Sequence, residues 1–338
     1  MKLLKKILLI IFLLVFVVII IGFVYEHISR AYVKNKYPVQ GEMVNIGDHR
    51  LCALQEGKGE PTVVFENGLT DGHIVWNKVQ NAVSKFTSTL SYDRAGILWS
   101  ERGNNPKTVD AVTTELHTLL QKTGHKGPYI LVGHSIASVF LYEFYGKYPN
   151  EVAGLIFVDC QNPDFVKYKN DFPRPNKPAD WVFNVKSLSG LVRLFEPYTY
   201  IYSNTQKNDK INKITSAYFP VTYVALNEES WRDCDMAYDA LKVISQKGSF
   251  GSVPIIIITA TKNKFSFMPS DEQRKLWHNR YLESQNDYLK LSTDSKHILC
   301  DKSFHHIQLD EPELVINSIK ELVDKYRKKE NMNSEKNK

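Results

Sequence analysis

The residues best suited to chemistry lie in the segment Leu131-Val-Gly-His-Ser-Ile-Ala-Ser138, between a strand-like run and a helical run. A serine on a sharp strand-to-helix turn is exposed to substrate, and the residues two before and two after it must be small so that the chain can fold back. Gly133 and Ala137 meet this demand. The segment predicts a nucleophile at Ser135, although a helix N-cap serine after a glycine turn would give the same pattern.

A serine hydroxyl at its ordinary pKa is a weak nucleophile and needs a base within hydrogen-bond reach. The segment Ser303-Phe-His-His-Ile-Gln-Leu-Asp-Glu-Pro312 offers one, because it follows the last strand-like run and precedes the last helical run. His305 and His306 compete for the role. The chemistry of the residues does not separate them.

A third segment, Asn67-Gly68-Leu69, follows the strand-like run that ends at Glu66. A glycine there lets the backbone approach a substrate closely and turn an N–H group inward. We expect the N–H groups of Leu69 and Ile136 to form an oxyanion hole.

The elements that would position these residues alternate between strand and helix. Such alternation predicts an α/β fold with a mostly parallel sheet flanked by helices. The alternation stops over about 161–251 and resumes at Val253–Thr259, which indicates a cap inserted into a domain of residues 43–327. Residues 328–338 are charged, have no apolar face and are expected to be disordered.

The N-terminal run Ile7–Val24 contains no charged residue. As a helix it would span roughly 27 Å, close to the thickness of a bilayer core. No small-residue cleavage site follows it, so residues 1–25 are predicted to be an uncleaved transmembrane anchor, followed by a polar stalk over 26–42. Lysines before the run favour a cytoplasmic N-terminus and a domain outside the cytoplasm.

The composition excludes other classes. The chain has 338 residues and a net charge of +6, much of it at the two ends, so no basic stripe suggests nucleic-acid binding. The four cysteines lack the close spacings of a zinc site, and no metal is expected. Two disulfides in an exported protein and four small buried residues remain equally open alternatives.

Together the motifs ENGL, SYDRAG, GHS, VD and H-x-I-x-L-D-x-P resemble the α/β-hydrolase superfamily over about 41–325, in particular its bacterial members. The resemblance implies that His305 is the catalytic histidine and that Asp93 and Arg94 belong to the framework. Many members carry the acid after the seventh strand, where this chain has no carboxylate before Asp271. Others carry it after the sixth strand, so Asp159 is the first choice for the acid, ahead of Asp164 and Asp271.

These features predict a serine hydrolase that cleaves an ester, thioester or amide by acyl transfer, most simply a carboxylesterase, without a cofactor. A small apolar ester-like substrate is expected because the cap is rich in aromatic residues: Trp181, Phe183, Tyr198, Tyr200, Tyr218 and Trp231. The alternative is a membrane-anchored binding module that keeps the fold with little or no catalysis. The replacement of elbow glycines by Ala137 and Ser138 motivates it.

Overall fold

The computed structural model describes residues 2–104, 106–162, 177–195, 209–247, 249–262 and 270–336, with the backbone alone at positions 2 and 233–247. Tyr198, Tyr200 and Asp164 lie outside these residues. The strands in chain order are β1 (Glu42–Asn45), β2 (Arg50–Glu56), β3 (Val63–Glu66), β4 (Thr89–Tyr92), β5 (Tyr129–His134), β6 (Val152–Val158), β7 (Ile255–Ala260) and β8 (Ser295–Cys300). The α-helices are α1 (Lys2–Lys36), α2 (Asn77–Val83), α3 (Val109–Lys122), α4 (Ala137–Lys147), α5 (Asp180–Leu188), α6 (Leu191–Phe195), α7 (Lys210–Lys247), α8 (Asp271–Asp287), α9 (Ile307–Asp310) and α10 (Pro312–Lys336).

The strands form one sheet in the order β1-β2-β4-β3-β5-β6-β7-β8. The pairs β1–β2 and β2–β4 are antiparallel, and every later pair is parallel. The sequence-based prediction of an α/β fold with a mostly parallel sheet is confirmed. The carboxyl ends of β3, β5, β6, β7 and β8 therefore meet at one edge, where ligands bind in open sheets of this kind.

The central strands are mostly apolar because both faces of the sheet are covered. Successive residues of β5 contribute to opposite cores: Leu131 packs with α3 and α4, while Ile130 and Val132 pack with α2 and α10. All six residues of β7 are buried. This double coverage explains why these strands appear in the sequence as nearly continuous apolar runs without alternation.

The cap enters the chain between β6 and β7, and its described residues form the helices α5, α6 and α7. The long helix α7 lies against α4, which follows the predicted nucleophile, and the short helices α5 and α6 pack on α7. The cap therefore covers the carboxyl edge of the sheet.

Both ends of the chain are more helical than the sequence suggested. The segment predicted as a polar stalk over 26–42 continues α1 as far as Lys36 and packs on the cap, because buried Glu26 and Val33 find partners there. The tail expected to be disordered over 328–338 continues α10 to Lys336. Its residues are mostly good helix formers, with no glycine or proline to end the helix.

Candidate active site

The turn that carries Ser135, the predicted nucleophile, has a strained backbone conformation. Ser135 lies between β5 and α4 with φ of 59°, a left-handed conformation that costs a non-glycine residue about 1–2 kcal/mol. Its N–H donates to the carbonyl of Val158 over 3.3 Å, and its carbonyl accepts from Gln161 over 3.0 Å. A Cβ at Gly133 would lie 2.8 Å from the Cβ of Ala137. The turn therefore requires glycine at Gly133, as the sequence indicated.

His305 lies on the loop after β8 and reaches the serine. Its Nε2 is 2.9 Å from Ser135 Oγ, and its Nδ1 is 2.7 Å from Asp159 Oδ2. With Nδ1 protonated, the imidazole donates to the carboxylate, and Nε2 is free to accept from the serine hydroxyl. The His305 side chain is 42% exposed, whereas that of Asp159 is 0% exposed. The structure thus brings the three predicted residues into one hydrogen-bonded chain.

The Asp159 carboxylate is held in a single orientation. Asp159 follows β6 with φ of 48°. Its Oδ1 accepts from the backbone N–H of Ala260 and from the Tyr281 hydroxyl, each over 3.0 Å. Burial, and then the charge of Asp159, raise the pKa of Tyr281 well above its ordinary value, so this hydroxyl remains a donor. Of the other two candidate acids, Asp164 is not described, and Asp271 is exposed in the first turn of α8, where it pairs with Arg274.

The two predicted oxyanion donors lie on neighbouring turns. Glu66 at the end of β3 pairs with Gly133 at the end of β5, so the Leu69 turn runs beside the Ser135 turn. A Cβ at Gly68 would lie 2.5 Å from His134 Nδ1. Ile136 is the N-cap of α4, so its N–H belongs to the positive end of that helix.

Arg94 stabilises the turn that leads to Leu69. Its guanidinium is buried and donates to the carbonyls of Asn67 and Gly68 over 2.8 and 2.6 Å. It also pairs with Glu66 at 2.7 Å and with Glu229 of α7 at 2.9 Å. The framework role that the family resemblance implied for Arg94 agrees with these contacts, and through Glu229 they extend to the cap.

The charge balance around Arg94 favours an ionised Glu229. Burial works to raise the pKa of Glu229, but Arg94 and Lys107 outweigh it and lower that pKa to about 2. At Glu66, burial prevails over Arg94 and raises the pKa. The lowered pKa indicates that Glu229 is ionised beside the buried guanidinium, with Glu66 as the second carboxylate partner of Arg94. No local pattern indicated this role of Glu229, because its partner Arg94 lies 135 positions away.

A second group of titratable residues lies behind His305. Asp71 Oδ2 is 3.3 Å from His134 Nδ1 and 3.4 Å from His306 Nε2, and His134 Nε2 is 2.9 Å from the carbonyl of His305. Burial works to raise the pKa of Asp71, but His306 and His134 lower it below its usual range. Burial lowers the pKa of His134. These contacts brace the loop of His305 and explain why His306, which faces Asp71, does not face the serine.

Two clusters in the described part of the chain have donor sets that could hold a metal ion: Asp71 with His134 and His306, and Cys52 with His73 and Asp93. In the first, the carboxylate already faces both rings. In the second, His73 Nδ1 is 3.0 Å from Asp93, and burial raises the pKa of the Cys52 thiol far above its ordinary value. The Cys52 thiol itself donates to the backbone carbonyl of Gln40.

A cavity of about 330 Å³ lies between the Leu69 turn and the cap. Its lining combines apolar side chains with hydroxyl and amide groups: Thr70, Ile97, Leu98, Thr215, Phe219, Thr222, Tyr223, Leu226, Asn227 and Ser230. Its aromatic residues are Phe219 and Tyr223, not those that the sequence suggested. Phe183 and Tyr218 are buried in packing clusters, and Trp181 is exposed.

The family model for the alpha/beta hydrolase fold matches residues 61–312. The chain belongs to the α/β-hydrolase family. An uncharacterized Bacillus subtilis protein, YbdG, is 26% identical over 354 residues, which cover 97% of this chain and all of that protein. The family fold also appears in a thermophilic esterase from Thermogutta terrifontis (TM-score 0.59, 18% identity, 85% of this chain and 99% of that one). The epoxide hydrolase CorEH is similar as well (TM-score 0.58, 14% identity, 84% and 97%).

Proposed function

We propose that this α/β hydrolase is a serine hydrolase that cleaves a carboxylic ester, or a related thioester or amide, by acyl transfer through Ser135. The observation that carries the proposal is the chain of hydrogen bonds from Ser135 Oγ through His305 to Asp159, at 2.9 and 2.7 Å. Such a chain supplies the base and the oriented tautomer that a serine hydroxyl needs.

In the proposed reaction, Ser135 Oγ attacks the acyl carbonyl while His305 takes the hydroxyl proton. The N–H groups of Leu69 and Ile136 stabilise the oxyanion, and Asp159 stabilises the imidazolium. His305 then gives its proton to the leaving alkoxide, thiolate or amine, and an acyl-enzyme remains. Water, deprotonated by His305, hydrolyses this ester and restores the serine.

A serine at this position favours acyl transfer over epoxide opening. Attack of a serine alkoxide on an epoxide would give an ether, which has no carbonyl for water to attack, so the enzyme would be trapped. Attack on an acyl carbonyl gives an ester that water can cleave. We therefore propose a carboxylesterase-type activity, with an apolar portion of the substrate in the cavity beside Thr70 and Leu226.

We further propose that α1 anchors the enzyme in a membrane with the catalytic domain outside the cytoplasm. Residues Leu3–Lys36 include the one helix among those described that is long and apolar enough to cross a bilayer, although a signal sequence has the same features. Protease digestion of a C-terminal epitope in intact spheroplasts, with the epitope protected if the domain is cytoplasmic, tests the orientation.

Pre-steady-state hydrolysis of p-nitrophenyl esters of increasing acyl length tests the activity. Because p-nitrophenolate is a good leaving group, acylation should be faster than deacylation, and we expect a burst of about one p-nitrophenolate per enzyme. Ser135→Ala should abolish the burst. Ser138→Ala is the matched control: its buried hydroxyl donates to the carbonyl of Gln161 over 2.7 Å and takes no part in the chain to His305. A folded enzyme without any hydrolysis would favour the binding module.

A further inference from the structure

Helix α5 turns an apolar face outward. Trp181, Val185 and Leu188, spaced four and three residues apart, are 67%, 51% and 45% exposed. The opposite side of the same helix is buried through Phe183 and Ser187. The helix thus carries apolar residues on both sides, whereas a helix that covers a soluble core normally presents a polar side to solvent.

Helix α6 repeats the pattern directly after the turn at Ser189-Gly190. Leu191, Leu194 and Phe195 are exposed, whereas Val192 is buried. The exposed residues of the two helices define what we call the cap apolar face: Trp181, Val185, Leu188, Leu191, Leu194 and Phe195. Single exposed apolar residues are ordinary, but a face of six large ones on consecutive helices marks an interaction surface.

The cap apolar face adjoins the apolar run of α1. A Cβ at Gly22 would lie 2.3 Å from the carbonyl oxygen of Ser189, and one at Gly190 would lie 3.0 Å from that of Gly22. The turn between α5 and α6 therefore contacts α1 at Gly22. Gly22 is two residues before the end of the run Ile7–Val24, a rise of about 3 Å in a helix.

Buried charges fix this junction. Glu26 is 1% exposed and accepts from Arg30 over 2.8 Å and from Arg193 of α6 over 2.6 Å. Arg30 also donates to the carbonyl and hydroxyl of Ser187 over 2.9 and 2.7 Å. A buried carboxylate between two arginines resists separation, since breaking it would leave a charge unpaired. These contacts thus set the position of the cap along the axis of α1.

We propose that the cap apolar face is seated in the lipid surface of the bilayer that α1 crosses. This inference rests on the proposed anchor and names its consequence for the enzyme. A surface that touches α1 within its apolar run must lie where hydrocarbon meets headgroups, and aromatic and aliphatic side chains bind that zone. The cap then samples amphiphilic esters that partition into the same interface.

Tryptophan fluorescence of the full-length enzyme in phosphatidylcholine vesicles tests the proposal. The chain has five tryptophans; Trp76, Trp99 and Trp277 are buried and Trp181 is exposed. The difference between wild type and Trp181→Phe isolates the Trp181 emission, and Trp231→Phe is the matched control. We expect that emission to be blue-shifted and largely lost in vesicles of dibrominated phosphatidylcholine. Gly22→Leu places a bulky side chain between α1 and Ser189 and should separate them. We expect this variant to recover most of the Trp181 emission in the brominated vesicles, while hydrolysis of a soluble ester persists.

Flotation of the same vesicles shows whether a negative result concerns the membrane anchor or only the cap apolar face. An enzyme that does not float overturns the anchor and this inference together. An enzyme that floats, with Trp181 emission unshifted and unquenched, overturns this inference and leaves the anchor standing. Emission that is blue-shifted, indifferent to bromolipid and dependent on protein density would show that a second copy covers the face, and would also overturn it.

Discussion

Replacing Asp159 by asparagine should impair the proposed reaction more than the loss of one hydrogen bond would suggest. Oδ1 of Asp159 accepts from the Ala260 N–H and from the Tyr281 hydroxyl, both at 3.0 Å. In Asp159→Asn the amide oxygen must keep that place, because only an acceptor fits between two donors. The amide NH₂ group then faces His305 Nδ1, which now accepts a hydrogen bond in place of donating one.

The consequence is that His305 adopts the wrong tautomer to act as a base for Ser135. With Nδ1 as acceptor, the neutral imidazole of His305 carries its proton on Nε2 and cannot accept from Ser135. The imidazolium formed during attack also loses its negative partner. We expect kcat/KM for a p-nitrophenyl ester to fall by about 10²–10⁴, which is about 3–5 kcal/mol of activation free energy.

Tyr281→Phe is the matched control. It removes one of the two donors to Oδ1 and leaves the charge of Asp159 and its contact with His305 intact, so we expect a loss of about tenfold or less. Both variants should be assayed after a thermal melt confirms folding. Normal kcat/KM in folded Asp159→Asn would refute the assignment and move attention to Asp164 or Asp271.

The remaining predictions concern stability, the elbow and pH. Glu229→Gln should lower the free energy of unfolding in urea at pH 7 by about 3–5 kcal/mol, because it removes one of the two carboxylates that pair with buried Arg94. Glu228→Gln, at a partly exposed position, should cost less than about 1 kcal/mol, and equal effects of the two changes would contradict the account. The pKa of Glu229 is lowered when folded, so its contribution should be complete above pH 4.5 and disappear toward pH 2 in the wild type, and Glu229→Gln should lack this pH dependence. Gly133→Ala should abolish ester hydrolysis, since its Cβ would collide with Ala137, and an active folded variant would show that the turn is not tight. Ester hydrolysis should rise with pH through roughly 6–7, where a histidine base loses its proton, and a flat profile would exclude such a base.

The elements that carry the site could be predicted because their signals are local. A buried strand, a turn of small residues and a helix follow one another around Ser135 within twenty residues of sequence. The same is true of the loop of His305, which lies between β8 and α10. The continuous apolar runs of β5 and β7 predict buried parallel strands for the same reason.

The partners of those elements could not be predicted, since they come from distant parts of the chain. Tyr281, which orients Asp159, is 122 positions away, and Glu229, which pairs with Arg94, is 135 positions away. The contacts of Asp71 and His134 with the loop of His305 likewise join two loops and the end of β5. No local pattern records such contacts, because they depend on how the sheet brings strand ends together.

The cap and α1 illustrate a different limit of prediction from sequence, which concerns the residues of a helix that face the protein. The apolar residues of α5 do not say which of them face the protein, and Trp181, Val185 and Leu188 proved to face outward while Phe183 is buried. Glu26 and Arg30 looked like the start of a solvated stalk, yet Glu26 is buried beside Arg193 and Arg30 is bonded to Ser187. A charged residue in the sequence predicts a solvent-exposed position only where the fold provides no partner of opposite charge for it.

The central claim is that Ser135 is activated by His305, and labelling with a fluorophosphonate tests it most directly. The full-length enzyme in detergent is treated with the probe, and the modified peptide is identified by mass spectrometry. The account predicts stoichiometric modification of Ser135 in the wild type, and none in His305→Ala, in which the serine remains but its base is gone. Equal labelling of wild type and His305→Ala, or no labelling of the folded wild type, would contradict it.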